Sequence, residues 1–354
     1  MGPIVQQLAQ TIRTAAANKT PLRIRGGGSK DFYGGPLRGD TLGVGDYRGI
    51  VDYEPTELVI TARAGTPLAE IEAALREKGQ MLAFEPPHFG PNTTLGGCIA
   101  AGLSGPRRAY AGAARDLVLA VRMLDGKGND LRFGGQVMKN VAGFDVSRLI
   151  TGSLGTLGVI LEVSLKTLPL PVAEMTLRLE KTAAEAIALM NEWAGQPLPI
   201  SATAWTGGDL RVRLSGAAAA VAAAEKKLGG ERIDPPQAER FWQGIREHTD
   251  PFFKTQQPLW RLSLKSTTPP LNLPGAQMIE WGGALRWLAT DADAQTVRDA
   301  AVFGGGHATL FRGGDKSTGV FHPLPPALMS IQRNLKRTFD PAGIFNPGRM
   351  YNWM

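Results

Sequence analysis

The chain has 354 residues, 43% of them hydrophobic, with 44 glycines, 25 prolines and a formal charge of +7. Its length predicts about two domains at roughly 150 residues each, and the interleaving of glycine and proline with apolar segments predicts turns rather than disorder. The 39 basic residues are scattered and form no Lys/Arg run interleaved with aromatics, which argues against a nucleic-acid role and for a bound anion or an acidic partner surface. No run of about 18 apolar residues is present, and "MGPIVQQLAQ" at the start lacks the apolar core of a signal peptide. The single cysteine, Cys98, supports neither a disulfide nor a cysteine-ligated metal or iron–sulfur site. A soluble, cytoplasmic protein is expected.

Val5, Leu8, Ile12 and Ala15 recur at helical spacing and predict an opening helix. Leu22 and Ile24 alternate with Arg23 and Arg25, a strand that runs straight into the triple glycine of "IRGGGSKDF" (24–32). "ELVITARAG" (57–65) is a second strand. Thr66 and Pro67 then read as an N-cap and a first helical residue, with Leu68, Ile71 and Leu75 as the buried stripe of the helix. The same β-loop-α step recurs weakly to about residue 170, mixed with hairpins such as 122–133, whose Asp125-Gly126 is a turn signal. "GVILEVSLKTLPLP" (158–171) places Val159, Leu161, Val163 and Leu165 on one face and stops at a proline-rich boundary. Residues 174–290 read as a strand, a helix (182–194), a strand pair turning at Gly207-Gly208, an alanine-rich helix (217–228) and further strands. "TLRLE", "LRVRL" and "LWRLSL" alternate as antiparallel strands do, so this is a smaller α+β domain. A helix and a Pro/Gly-rich tail with hydrophobic anchors, "MSIQRNLKRTFDPAGIFNPGRM", return to the first domain. No internal repeat is strong enough to use.

Three successive glycines remove the side chains from a loop, as close wrapping around a ligand requires. The loop matches neither G-x-x-x-x-G-K-[ST] nor a G-x-G-x-x-G that opens a helix. Three further glycine-rich stretches follow: "GPNTTLGGCIAAGLSG" (90–105), "YAGAARDLVL" (110–119) and "AGFDVSRLITGSLGTLGVI" (142–160). Each alone is read as readily as a set of tight turns. Four on one domain, two of them rich in hydroxyls and backbone N–H groups, favour an extended ligand with a diphosphate in its middle.

The order "RGGGS" (25–29), "ARAGTPLAEIE" (62–72), "GPNTTLGG" (90–97), "RDLVLAVRMLDGKG" (115–128), "GFDVSRLITGSLGTLGVILEVSLK" (143–166) and "FDPAGIFNPGRM" (339–350) resembles the PCMH-type, vanillyl-alcohol-oxidase family of FAD-binding flavoproteins. With "EPPHFG" (85–90), "MKNVAGFD" (138–145), "PLPIS" (197–201), "WGGALRWL" (281–288) and "GGHAT" (305–309), the whole chain resembles the family of FAD-binding subunits of bacterial glycolate oxidases. The resemblance implies an α+β protein: a PCMH-type FAD-binding fold of two α/β subdomains plus an α+β (ferredoxin-like) cap. The corresponding spans are a FAD-binding domain at 1–171, a cap at 172–322 and a returning segment at 323–354. Gly26, Gly27, Gly28 and Ser29 are expected at the diphosphate, with Arg25 a weaker candidate beside them. Pro91, Asn92, Thr93, Thr94, Gly96 and Gly97 are expected over the diphosphate and ribityl chain, Gly155, Gly158 and Ile160 near the adenine, and Asn346 near the flavin ring. Implied partners are a larger FAD-binding catalytic subunit and an iron–sulfur subunit, acting on a small 2-hydroxy acid, with any inner-membrane contact peripheral and made through the complex.

Oxidising a 2-hydroxy acid requires a cation for its carboxylate and a base or metal for its hydroxyl proton, beside the flavin. Related D-2-hydroxyacid dehydrogenases carry a "GHxGDGNxH" segment and a later "EHG". Here "GGHATLFRGG" (305–314) keeps His307 but lacks the acid and the second histidine, and no "EHG" occurs, so no metal is expected. Arg246 in "FWQGIREH" (241–248) resembles the relatives' "LWxxRE" arginine, while Leu259 stands where they have lysine. Arg312 and Lys316 are further cations. For His307 and Arg246 a structural role remains open beside the catalytic one, and Cys98 reads as a packed small residue. The favoured expectation is an FAD-binding subunit of a glycolate-oxidising complex that relays electrons or supports a catalytic flavin subunit. An autonomous FAD-dependent 2-hydroxyacid dehydrogenase and a non-catalytic structural subunit are the alternatives. Relatives that attach flavin covalently carry histidine in an "R-x-G-G-H" pattern, where this chain has Ser29. A non-covalent FAD is therefore expected, released on acid denaturation; yellow colour retained in the precipitated protein contradicts it.

Overall fold

A computed structural model describes residues 2–135 and 145–354. The opening helix is α1 (Pro3–Asn18), with Val5, Leu8, Ile12 and Ala15 buried as their spacing predicts. Strands β1 (Leu22–Arg25) and β2 (Asp40–Gly43) pair in parallel beneath it. There follow β3 (Ile50–Glu54), β4 (Val59–Arg63), α2 (Leu68–Glu77), β5 (Gln80–Met81), α3 (Leu95–Ala101), α4 (Arg108–Ala111), α5 (Ala114–Leu117), β6 (Val118–Leu124), β7 (Asp130–Gly134), α6 (Val146–Ile150), β8 (Val159–Lys166) and β9 (Leu168–Pro169). Five of these strands form an antiparallel sheet in the order β3-β4-β8-β6-β7. Its centre is β8, buried on both faces. One face packs on α2 and α3 around Ile71, Leu75, Leu95 and Ile99. The other meets α1, β1 and β2 through Leu124, Val159 and Leu161.

Two local expectations fail, each for a physical reason. Val159, Leu161, Val163 and Leu165 do not share a face: the register against β6 shifts between Arg122↔Glu162 and Met123↔Ile160. The extra residue turns Val159 and Leu161 toward α1, while Val163 and Leu165 point to the α2 side. Thr66 does not cap α2. Its hydroxyl accepts from Gly49 N (2.8 Å) and donates to Gly49 O (3.2 Å), pinning the loop before β3, and the helix begins at Leu68 after Pro67. The Asp125 turn does form, with Asp125 Oδ1 accepting from Lys127 N and Asn129 N at 2.9 Å each. Most of "MKNVAGFD" and residues 142–144 of the fourth glycine-rich stretch lie outside the described residues. Asp145 is the first described residue after them and caps α6 by accepting from Arg148 N at 3.1 Å.

The second half contributes β10 (Ala173–Glu180), α7 (Ala183–Ala194), β11 (Ile200–Thr206), β12 (Asp209–Gly216), α8 (Ala218–Leu228), β13 (Glu231–Arg232), α9 (Pro235–Glu247), β14 (Leu259–Ser263), β15 (Ala276–Glu280), β16 (Leu285–Ala289), α10 (Ala294–Phe303) and β17 (His307–Arg312). They make one eight-stranded antiparallel sheet in the order β13-β10-β12-β11-β15-β16-β14-β17. Its first four strands, with α7 and α8 as the crossovers, have the ferredoxin-like βαββαβ order. The other four repeat that order, with α10 as their single crossover, and the two sets join edge to edge at β11 and β15. The cap is therefore a doubled ferredoxin-like unit, a repeat that sequence inspection leaves invisible because its second copy has lost one helix.

The closing helix α11 (Pro326–Phe339) buries only Lys336. Its ammonium donates to Thr156 O (2.8 Å), Phe345 O (3.0 Å) and Asp340 Oδ2 (2.7 Å). Asp340 in turn accepts from Ile344 N and Phe345 N. The tail then runs beside β1, with Leu22 N on Ile344 O (2.7 Å) and Asn346 N on Leu22 O (2.9 Å).

Candidate functional site

A groove of about 770 Å³, measured with its open mouth, runs between the β1–β2 unit and the face of the five-stranded sheet unit that carries α3. The loop leaving β1 forms one wall. A side chain at Gly27 would overlap the carbonyl oxygen of Asn92, and one at Gly26 would overlap the Thr94 hydroxyl. Gly28 has φ +75°, with the Arg25 guanidinium folded over it. Two of the three glycines are thus dictated by the approach of a second loop and the third by backbone conformation. The N–H groups of Gly26, Gly27, Gly28, Ser29 and Lys30 donate to no described residue. Five successive unclaimed donors on a groove wall constitute an anion cradle, and the diphosphate of a dinucleotide fits it.

Of the residues expected at the cofactor, Arg25, Gly26, Gly27, Gly28, Ser29, Thr94, Gly96, Gly97, Gly155, Gly158, Ile160 and Asn346 line this groove. Pro91, Asn92 and Thr93 do not: they stand behind the glycine loop and shape it. Thr93 is buried and its hydroxyl bonds Ser29 Oγ at 2.7 Å. The second glycine-rich stretch also supplies fewer N–H donors than its composition suggests. Leu95 N and Gly96 N donate to Thr66 O and Ala64 O, and Gly97 N and Cys98 N to the Thr94 side chain and carbonyl. Asn346 is likewise committed, accepting from Ile24 N (2.8 Å) and donating to Leu154 O (2.6 Å), so it clamps the groove floor with its amide. Lys30, overlooked in the sequence although it stands two residues after the last of the three glycines, reaches Ser29 Oγ and His88 O from a position whose burial lowers its pKa. Cys98 is buried, its thiol pushed up to about 12 by burial, and is packing.

The cap is fastened over the groove by charge and by rings. Glu247 accepts from His88 N (3.0 Å) and Phe89 N (2.9 Å), Lys316 donates to Phe32 O (2.6 Å) and Gly34 O (2.9 Å), and Arg213 to Glu85 (2.7 Å). Phe32, Tyr33 and Phe89 pack edge-on or tilted against Phe311. Of the three catalytic candidates, Arg246 lines the cavity beneath the cap and Arg312 and His307 do not. Arg246 bonds Glu247 through Nε (2.8 Å), Arg312 bonds Phe253 O (2.6 Å), and His307 begins β17 exposed, its side chain bonded to no described residue. Among the described residues no group of three or more His, Cys, Asp and Glu is placed to hold a metal.

Sequence reasoning missed a polar set beneath the cap. Arg261, Glu280 and His248, with the predicted candidate Arg246, line a small cavity of about 20 Å³, room for about one water, together with Trp287 and Phe311. Burial pushes Glu280 up to about 8, against the opposing effects of the Trp287 Nε1 bond (2.6 Å) and Arg261. Burial, with Arg312 and Arg261 nearby, holds His248 neutral, stacked flat on Phe253 at 3.9 Å. "LWRLSL" offered the only sequence signal, an arginine on the apolar alternation of a strand.

Residues 5–134 match the family described as FAD binding domain. The chain is 51% identical over 346 residues to glycolate oxidase subunit GlcE of Escherichia coli strain K12, covering 98% of this chain and 97% of that one. It is 28% identical over 174 residues to glycolate oxidase subunit GlcD of Bacillus subtilis strain 168, covering 48% of this chain and 37% of that one. A solved structure of alkyldihydroxyacetonephosphate synthase superposes with TM-score 0.65 at 16% identity, covering 97% of this chain and 74% of that one, a likeness of fold.

Gly27→Ala is expected to cost ~1–3 kcal/mol of stability by forcing the loops apart and to lower flavin affinity at least about tenfold. Thermal unfolding and flavin titration check both, and unchanged flavin affinity would refute the cradle. Glu280 has a second consequence. A carboxyl whose folded pKa lies above its unfolded value of about 4.5 contributes most below that pH, and the contribution is lost as pH rises toward about 8. Glu280→Gln should flatten the wild-type decline of stability over that window, by up to ~1.4 kcal/mol per pH unit. Urea melts at several pH values read it, and parallel pH profiles would exclude it.

Proposed function

Because the chain belongs to the family of glycolate oxidase subunit GlcE and is an FAD-binding oxidoreductase, we propose that it is a non-covalent FAD subunit of a multi-subunit enzyme oxidising glycolate to glyoxylate. The observation that carries this reading is the row of five unclaimed N–H donors from Gly26 to Lys30, facing a groove flanked by Gly97, Gly155 and Gly158. When bound there, FAD supplies a two-electron acceptor. The chain's own residues hold its diphosphate on backbone N–H groups, bracket it with Arg25 and Lys30, and shield it beneath the cap. The division into a FAD-binding domain (1–171), a cap (172–322) and a returning segment (323–354) belongs to the same proposal, supported by the separate sheets of the first two spans and by the hydrogen bonds that tie the third back to the first.

Removal of hydrogen from the substrate falls mainly to a larger flavin subunit. This is supported by Arg246 and Arg312 being spent on protein carbonyl and carboxylate groups, and by His307 standing alone. This chain then relays electrons or supports assembly. With Cys98 as its only cysteine it supplies no iron–sulfur ligands, so such centres belong to another subunit. One observation favours the second reading of an autonomous dehydrogenase: the Arg261, Glu280 and His248 set under the cap. The purified chain is expected to be yellow and to show no bleaching at catalytic rates with glycolate until the other subunits are added. Catalytic bleaching by the isolated chain would replace the relay reading by the autonomous one, and a colourless chain unaffected in melting temperature by FAD would leave only a structural role.

A further inference from the structure

The helix α11 lies on the surface and buries a single residue, Lys336. At about 3.6 residues per turn, the crest opposite Lys336 carries Ala327, Ser330, Asn334 and Thr338, all exposed. On one flank of that crest Leu328 and Ile331 are 50% and 54% exposed. On the other flank Met329, Arg333 and Arg337 line an open groove with Trp353, which leaves about 580 Å³ of room. The groove is preformed. The Arg333 guanidinium stands 5.3 Å from the centre of the Trp353 ring, and Trp353 stacks on Tyr351 at 5.5 Å with the ring planes 4° apart. Tyr351 is fixed in turn, its hydroxyl donating to His322 O at 3.2 Å.

This part of the chain is one-sided in charge. Between residues 316 and 354 Asp340 is the only acidic residue, against Lys316, Arg333, Lys336, Arg337 and Arg349. Asp340 is buried on Lys336, and Lys316 and Arg349 donate to backbone carbonyls. Arg337 bonds the neutral Asn334 side chain, and Arg333 has the Trp353 ring as its partner. Neither forms an ion pair with a described residue.

We propose that the groove between α11 and Trp353, with the Leu328 and Ile331 flank beside it, docks an acidic face of another subunit of the complex. The inference rests on the reading of the chain as part of a multi-subunit enzyme and adds the surface on which a partner sits. Carboxylates of the partner meet Arg333 and Arg337, and an apolar side chain enters the groove against Trp353. Two exposed cations without counter-charges select an acidic surface, and tryptophan and arginine around a pocket are the residues that dominate interface energy. A helix lying in a lipid surface turns an apolar face outward, whereas the crest of α11 is polar and uncharged. A second copy seated through the same face would bring Arg333 and Arg337 against themselves.

The test is interferometry of the immobilised, full-length, FAD-loaded chain against the larger flavin subunit and the iron–sulfur subunit of the proposed complex, offered singly and together. Wild type is compared with Arg333→Glu/Arg337→Glu, with Trp353→Ala and with a control of equal charge change on α8, Lys226→Glu/Lys227→Glu. The control should bind as wild type does, and the two groove variants at least about tenfold more weakly, with flavin content and melting temperature retained. Added salt should weaken wild type more than the double arginine variant. Should Trp353→Ala fold poorly, the arginine pair, on exposed side chains, carries the test. Unchanged affinity in the double arginine variant overturns the proposal and leaves the multi-subunit reading standing. No binding of wild type to either subunit, singly or together, removes that reading and the proposal with it. Phosphatidylglycerol vesicles that retain wild type and release the double arginine variant would overturn it in favour of a membrane. Self-association abolished by the same variant would overturn it in favour of a second copy.

Discussion

The groove depends on one steric fact: two loops approach so closely that neither Gly26 nor Gly27 has space for a Cβ, their backbone lying against Thr94 and Asn92. That contact lifts the backbone after β1 out of any ladder and turns its N–H groups toward the ligand with nothing else to bond. An unpaired N–H costs free energy unless something satisfies it, so the loop is built for an occupant. The contact also explains why Thr93 is buried: its hydroxyl ties the second loop to Ser29 of the first. The floor is fixed by a third segment, the tail after α11, where Asn346 joins β1 to the loop at Leu154. That tail is held in turn by the buried Lys336–Asp340 pair, each partner with further hydrogen bonds, as a buried pair requires.

Over this groove the doubled ferredoxin-like cap is attached through few polar ties and a dense cluster of rings. The ring cluster excludes water from the joint, while Glu247, Lys316 and Arg213 fix its register. Lys316 is committed to this fastening, while Arg246 and Arg312 bond Glu247 and Phe253 O within the cap. Arg108 and Arg261, which form no ion pair with a described residue, lie near the Trp281 ring where the two halves meet.

Much of the fold was legible because its signals are local. The α1 spacing, the Asp125 turn and the alternation in β10, β12 and β14 each report on a neighbour two to four residues away. What failed was non-local. A bulge against β6 turns half of β8 to the opposite face, and no feature within 158–171 encodes a misfit with another strand. The Thr66 hydroxyl was claimed by Gly49, seventeen residues back, ahead of the helix it precedes. In the site, glycine content located the groove but misassigned its donors. The N–H groups of 95–98 were already bonded by Ala64, Thr66 and Thr94, while those of 26–30 were not.

The sequence by itself determined the family, the cofactor class and the strand-to-loop element that cradles it, because glycine's freedom is a property of the residue and its order along the chain is readable. Only the tertiary structure decided which N–H groups remain free, which arginines stand apart from carboxylates, and that burial raises the pKa of the Glu280 carboxyl. Those properties depend on hydrogen-bond competition and desolvation among residues far apart in sequence, and they exist only once the chain has closed on itself.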